Sequence, residues 1–346
     1  MPDDGRTCGQ PDIERLHGAF RGLKADKVPF WEVVYAIPSG LVESIIGISV
    51  SQTEFETLPE LQLQLAQRLG IDTIGFWGGW SLKREPQREG DDGQGQRALG
   101  RLASRVTSAE LPPVDIESLR RHLDDFMDVA HRVGAGVFVS TAGVIHNAYM
   151  ALGYDRLSLL LYDDLPFVEY LMDVSMERNR QVIEMLCEYP VAFIRLVDHV
   201  SHGGGLFMRP ELLERLWLPR TREMIAPAKE AGVPLEWHCC GQLEWALPRV
   251  IELGFDALDP IAPRCNDIYA LHEQYGDLIT FIGNIGADLL TTGTPEEVRE
   301  DVFEHIRRLG FIGRYVVKAA SSLTEDMPAS NILAMSEAVR EFGGHD

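Results

Sequence analysis

The stretch PELLERLWLPRTREMIAPAKEAG (210–232) followed by VPLEWHCCG (233–241) holds one repeat unit of the fold. The first part repeats its apolar residues at three and four and stops at Gly232, the pattern of an amphipathic helix with a glycine end. The second part is short, apolar and aromatic, as a buried parallel strand is. Side chains on a strand alternate, so Glu236, His238 and Cys240 share one face and Trp237 and Cys239 the other. If the first face points inward, an imidazole and a thiol converge where the strand ends.

The same unit recurs on both sides. Strands are expected at 28–35, 72–78, 136–143, 192–199, 233–240, 256–261, 279–286 and 314–321, bounded by Gly, Pro or Asp. Helical patterns lie between them at 118–134, 164–189, 210–232 and 294–310. Asp164 and Pro166 open the second, and Thr294 with Glu297 forms a capping box on the last. Eight alternations predict an α/β chain folded as a (β/α)8 TIM barrel, with a helical extension near residues 11–25 over one end. An open doubly wound sheet is the alternative, but no GxGxxG follows the first strand. The polar, Gly-rich run within 82–113 breaks the rhythm and reads as a long loop or hairpin insertion in a single domain spanning 1–346.

Composition narrows the function. The 346 residues are 45% hydrophobic and 25% charged, which excludes disorder and fibrous classes. The net charge of −21 argues against nucleic acid and anionic membrane surfaces as partners. No apolar run is long enough to span a bilayer, and the polar start MPDDGRTCGQ is unlike a secretory signal. Five cysteines, odd and scattered, point to a reducing cytoplasm rather than a disulfide framework.

Barrel enzymes gather reactive groups at the C-terminal ends of their strands. That rule selects Trp77, Thr141, Asp198, His199, His238, Cys240, Asp259, Asn284 and Ser321. His238 and Cys240 offer nitrogen and sulfur to zinc, with Glu236 one layer deeper to orient the histidine. A packed, hydrogen-bonded histidine is the plainer reading of a lone His-x-Cys. Asp198 can serve as ligand, acid/base or loop anchor.

The stretches YDDLPFVEYLMD, GLFMRPELLERLWLPR, VPLEWHCCG, ALDPI, YGDLITFIGNIG, TGTPEEVRE and DMPASNILAM run in the order of a known family. Over residues 150–340 the chain resembles the uroporphyrinogen decarboxylase superfamily, in particular its corrinoid-dependent, methylcobalamin:coenzyme M methyltransferase-like branch. The resemblance implies the barrel, a methyl transfer or demethylase activity, a zinc site and a corrinoid (cobalamin) cofactor. The arginine-rich segment with which the decarboxylases grip carboxylates reads PFWEVVYAIPSG here, without arginine. The branch binds zinc through His-x-Cys and a later cysteine. His238 and Cys240 match the first two, and Ser321, or Ser322, stands where the third belongs. Asp198, then His199, then Glu236 are the candidates to complete the site, and losing a thiolate leans the zinc toward oxygen substrates such as methyl ethers. Tyr35, Trp77, His146 and His199 are expected to line the pocket, with Asn284 and Ser321 opposite. No Asp-x-His-x-x-Gly corrinoid motif occurs, so the corrinoid would come on a partner protein. The frequent dimers of the superfamily point to a homodimer. The rival readings are a decarboxylase using Asp198 or Asp72, and a non-catalytic tetrapyrrole-binding scaffold.

Overall fold

The computed structural model describes residues 11–81, 111–310 and 312–344. Its main sheet has seven strands, all parallel: β1 (Thr73–Trp77), β2 (Gly136–Ala142), β3 (Phe193–Val197), β6 (Leu235–His238), β7 (Ala257–Asp259), β8 (Thr280–Ile282) and β9 (Tyr315–Val316), in that spatial order. A short antiparallel hairpin, β4 (Ser201–His202) and β5 (Gly205–Leu206), follows β3. The sheet curls in the manner of a TIM barrel, and one core runs from Leu16 to Val339. The expected insertion falls, from 82 to 110, outside the described residues. No described helix is long and apolar enough to cross a membrane.

The first expected strand, 28–35, is the exception. It makes one parallel bridge, Phe30 to Val317, and its backbone trades bonds with β9's extension: Trp31 N to Val317 O and Val317 N to Pro29 O, both 3.0 Å. Pro29 has no N–H to extend a ladder, and Val34–Ala36 already turns as a 3₁₀ helix. Side chains serve this seam instead. Glu32 Oε1 accepts from Ala319 N (2.7 Å), and Trp31 Nε1 donates to Thr73 Oγ1 of β1 (3.1 Å).

The helices follow their sequence signals. Asp115 caps Ile116–His131 and Asp164 caps Leu165–Leu186. Thr294 and Glu297 close the expected box on Pro295–His305. The stretch 210–232 is two helices, Pro210–Leu216 and Leu218–Ala231, because Pro219 cannot donate across the junction.

The helix Ile13–Phe20 covers the N-terminal end of the sheet, where the extension was expected. Arg15 pairs with Asp72 at 2.9 Å, His17 Nε2 meets Ala192 O at 2.8 Å, and Thr280 Oγ1 donates to Ala19 O at 2.8 Å. Above this plug lies an aromatic floor. Phe138 and Phe193 stack at 5.2 Å, and Trp31 meets both edge-on.

Candidate metal centre at the barrel mouth

Strand alternation holds on β6. Glu236 and His238 face inward, while Trp237 and Cys239 lie on the other face, with Trp237 against Trp217. Cys239 is fully buried against Ser201 (Sγ to Oγ 3.4 Å). Register then assembles the site: Val197 pairs with His238, and His238 pairs with Asp259. Two residues past Val197, His199 lies on the same face as His238, and their rings are 5.1 Å apart.

His199, His238 and Cys240 have ligand atoms within 4.8 Å of one another. Cys240 Sγ is 3.3 Å from His238 Nε2, and Cys240 N donates to His199 Nδ1 at 3.3 Å. A tetrahedral zinc with bonds of 2.0–2.3 Å sets its ligands roughly 3.3–3.7 Å apart, so small side-chain adjustments bring this N, N, S set onto one ion and leave a fourth position open. The group is neutral as it stands. Burial and then Arg195 lower His238 to about 3 and His199 to about 4. The protein walls around Cys240, and then Asp259, push its thiol up to about 12, although the residue itself reaches the exposed rim. Free imidazole lone pairs are what a metal takes, and the thiol must lose its proton to join them.

Asp198, the first candidate to complete the site, is not part of this group. Its side chain points away from His199. Oδ1 accepts from His146 N (2.8 Å), and Oδ2 from Trp217 Nε1 (3.0 Å). It caps the helix Val144–Leu152, whose own N-cap is Gly143 and brings no side chain. A Cβ at Gly143 would collide with that carboxylate, so glycine is required there. Burial raises Asp198 to about 7 against these hydrogen bonds. Glu236 is also elsewhere, fully buried with Oε2 3.1 Å from Arg195 Nε. Ser321 is half-exposed and donates to Ser322 O, outside the cluster.

The helix that Asp198 caps carries the wall of the mouth. His146 lies 5.9 Å from His199 and 5.7 Å from Trp77, ring to ring, and its Nδ1 is 2.7 Å from the Tyr149 hydroxyl. Tyr149 stacks on Tyr154 and Tyr154 on Phe207. Trp77 is 37% exposed. Tyr35 is deeper, packed on Phe138 and raised by burial. Asn284 does not face the pocket: Nδ2 donates to Ile261 O (2.9 Å) and Oδ1 meets His305 Nε2 (2.7 Å). Asp72 sits before β1, at the opposite end, bound to Arg15, so it is not placed to serve a reaction at the mouth.

Sequence reasoning selected Asp259 by position and gave it no role. It missed Arg195, Lys318, Tyr149, Tyr154 and Phe207. Arg195 and Lys318 had a signal: each is a lone charge in an apolar run, AFIRLV and YVVKAA. They meet below the mouth. Asp259 Oδ1 is 2.7 Å from His238 Nδ1 and 3.3 Å from Arg195 Nη2, and Oδ2 is 3.1 Å from Lys318 Nζ. Burial works to raise both Glu236 and Asp259, but His238, Arg195 and Lys318 overcome it at Asp259 and hold that carboxyl well below its usual range.

Residues 105–342 match the family model of uroporphyrinogen decarboxylase (URO-D). The chain belongs to this family. A uroporphyrinogen decarboxylase of Methylococcus capsulatus is 23% identical over 190 residues, 55% of this chain and 53% of that protein, so the chain spans about half the length of the curated relative it matches. Among solved structures, a methyltransferase from Methanosarcina mazei superposes with a TM-score of 0.69 at 17% identity, covering 96% of this chain and 99% of that one. A B12-independent methionine synthase from Shewanella sp. W3-18-1, in complex with selenomethionine, gives 0.53 at 13% identity, covering 93% and 98%. At these identities the two structures show the shared fold.

Proposed function

We propose that this family member is a cytoplasmic zinc-dependent methyltransferase, moving a methyl group between a small methylated substrate or acceptor and a corrinoid held by a partner protein. The observation that carries the reading is the convergence of His199, His238 and Cys240 at the mouth of the barrel. These three residues would hold the zinc. Bound there, zinc supplies Lewis acidity toward an ether or amine whose methyl leaves, or lowers the pKa of an accepting thiol. Cys240 would give up its proton on joining the site. Trp77 and His146 form an aromatic wall beside it, suited to holding a neutral, flat substrate such as a methyl ether. Asp198 holds the His146 side of that wall by capping its helix. The corrinoid partner follows from the resemblance and from the lack of a corrinoid motif in this sequence.

The decarboxylase reading has the Methylococcus capsulatus relative in its favour. Against it, Arg195 and Lys318, the cations that reach the interior from β3 and just beyond β9, are already engaged by Glu236, Asp259 and Glu32. A polycarboxylate would have to break those pairs to use them.

The test is metal analysis with a reaction screen. The purified protein should hold about one zinc per chain. With reduced cobalamin or a cognate corrinoid protein, and a panel of methyl ethers, amines and thiols, the cobalt spectrum should report methyl transfer. Carbon dioxide release from uroporphyrinogen would replace this reading with the decarboxylase. Silence across the panel with the cognate corrinoid protein present would favour the non-catalytic scaffold.

A further inference from the structure

We infer that Asp259, clamped by Lys318 and Arg195, is a positioning residue that fixes His238 with a bare Nε2 aimed at the metal position. The inference rests on the zinc reading above. Asp259 is fully buried at the end of β7, and Lys318 is 1% exposed. Burying a lysine and a carboxylate is expensive unless each finds an opposite charge. Here Lys318 Nζ lies 3.1 Å from Asp259 Oδ2, with Glu32 Oε2 at 3.9 Å, and Arg195 Nη2 lies 3.3 Å from Asp259 Oδ1.

A carboxylate facing two fixed cations is ionised and can only accept hydrogen bonds. The proton in the 2.7 Å contact with His238 therefore sits on Nδ1. Nε2 is then the nitrogen with the free lone pair, and it is the one 3.3 Å from Cys240 Sγ. Which ring nitrogen can bind a metal is set by the bond the other nitrogen makes. The end of the last strand, where the resemblance places a third ligand, thus contributes a cation that steadies an existing ligand from behind.

The test uses the whole protein. In metal-free protein with ¹⁵N-labelled histidine, long-range proton–nitrogen correlation at pH 7 should show His238 as the Nδ1–H tautomer. Asp259→Asn should weaken zinc binding roughly 10–100-fold in chelator competition. It should also shift the visible bands of the cobalt(II)-substituted protein. Lys318→Met should move both readouts the same way by a smaller factor. Asn284→Ala is the structural control: it is also buried but engaged with Ile261 and His305, and should leave affinity and spectrum unchanged. If Asp259→Asn does not fold, Lys318→Met and the tautomer measurement decide. An Nε2–H tautomer in the wild type, or wild-type zinc affinity in folded Asp259→Asn, overturns the inference. A wild type that binds no zinc overturns the zinc reading, and the metal-free tautomer still decides the role of Asp259.

Discussion

At the N-terminal end of the barrel Arg15 meets Asp72 at 2.9 Å and His17 meets the Ala192 carbonyl at 2.8 Å, whereas at the C-terminal end two imidazoles and a thiol meet one another. Each of these floor groups has a complementary partner, so its burial is satisfied. At the mouth three lone-pair donors converge, joined by the Cys240 Sγ–His238 Nε2 contact and the hydrogen bond from Cys240 N to His199 Nδ1, both 3.3 Å. Packing alone gains little from that arrangement, and a cation would complete it. The contrast teaches where to look for function in this fold: burial of polar groups is common to both ends, and what differs is whether the neighbours are of opposite or of the same chemical kind.

The largest expected effect breaks the mouth and spares the floor. His238→Ala and Cys240→Ala should each lower zinc content below detection after dialysis and abolish methyl transfer, while His17→Ala keeps both. Zinc retained in His238→Ala would show that the two ends do not differ as argued. Next, the vicinal cysteines sharpen the contrast within one strand. Cys239→Ala should keep zinc and cost about 1–2 kcal/mol of stability in urea unfolding, because it only loses packing. Equal zinc loss in both cysteine variants would mean that their faces are wrongly assigned.

Between the two ends, Glu32 provides a pH test. Burial, opposed by Lys318 and the Ala319 N–H, raises it from 4.5 to about 7. The native state therefore keeps a proton that the unfolded chain releases. The resulting stability is full below pH 4.5 and is lost as pH rises through 7. Glu32→Gln mimics the protonated form, so its advantage over the wild type should grow across that window to roughly 2–4 kcal/mol. A pH-independent difference in denaturant unfolding would reject the assignment. On the floor, Asp72→Asn should lower stability by about 1–3 kcal/mol through its bonds to Arg15 and the Asp12 N–H, with zinc content unchanged. Loss of activity there without loss of fold would bring Asp72 back as a catalytic group.

Much of the fold was legible because its signals are local. Thr294 and Glu297 cap their helix from three residues apart, and Gly232 ends the helix Leu218–Ala231 in the left-handed conformation. The strand at 28–35 was over-read because its composition is strand-like, whereas Pro29 and the turn at 34–36 prevent a full ladder. Asp198 and His199 show the limit at the site. Adjacent on one strand end, they must point to opposite faces, but which face is inward depends on the neighbouring strands. Arg195, two and four residues before Val197 and His199 on the inward side, carried that information as a charge in an apolar run.

The sequence by itself determined the alternating architecture, the helix ends marked by Asp164, Gly232 and Thr294, and the split of Glu236, His238 and Cys240 from Trp237 and Cys239, since each depends on residues a few positions apart. Only the tertiary structure decided that His199 joins the group while Asp198 caps a helix, that Asn284 is bound to His305, and that Lys318 lies behind Asp259. Those pairings are set by the register and curl of the sheet, which bring together residues 21 to 59 positions apart along the chain, and no local periodicity encodes them.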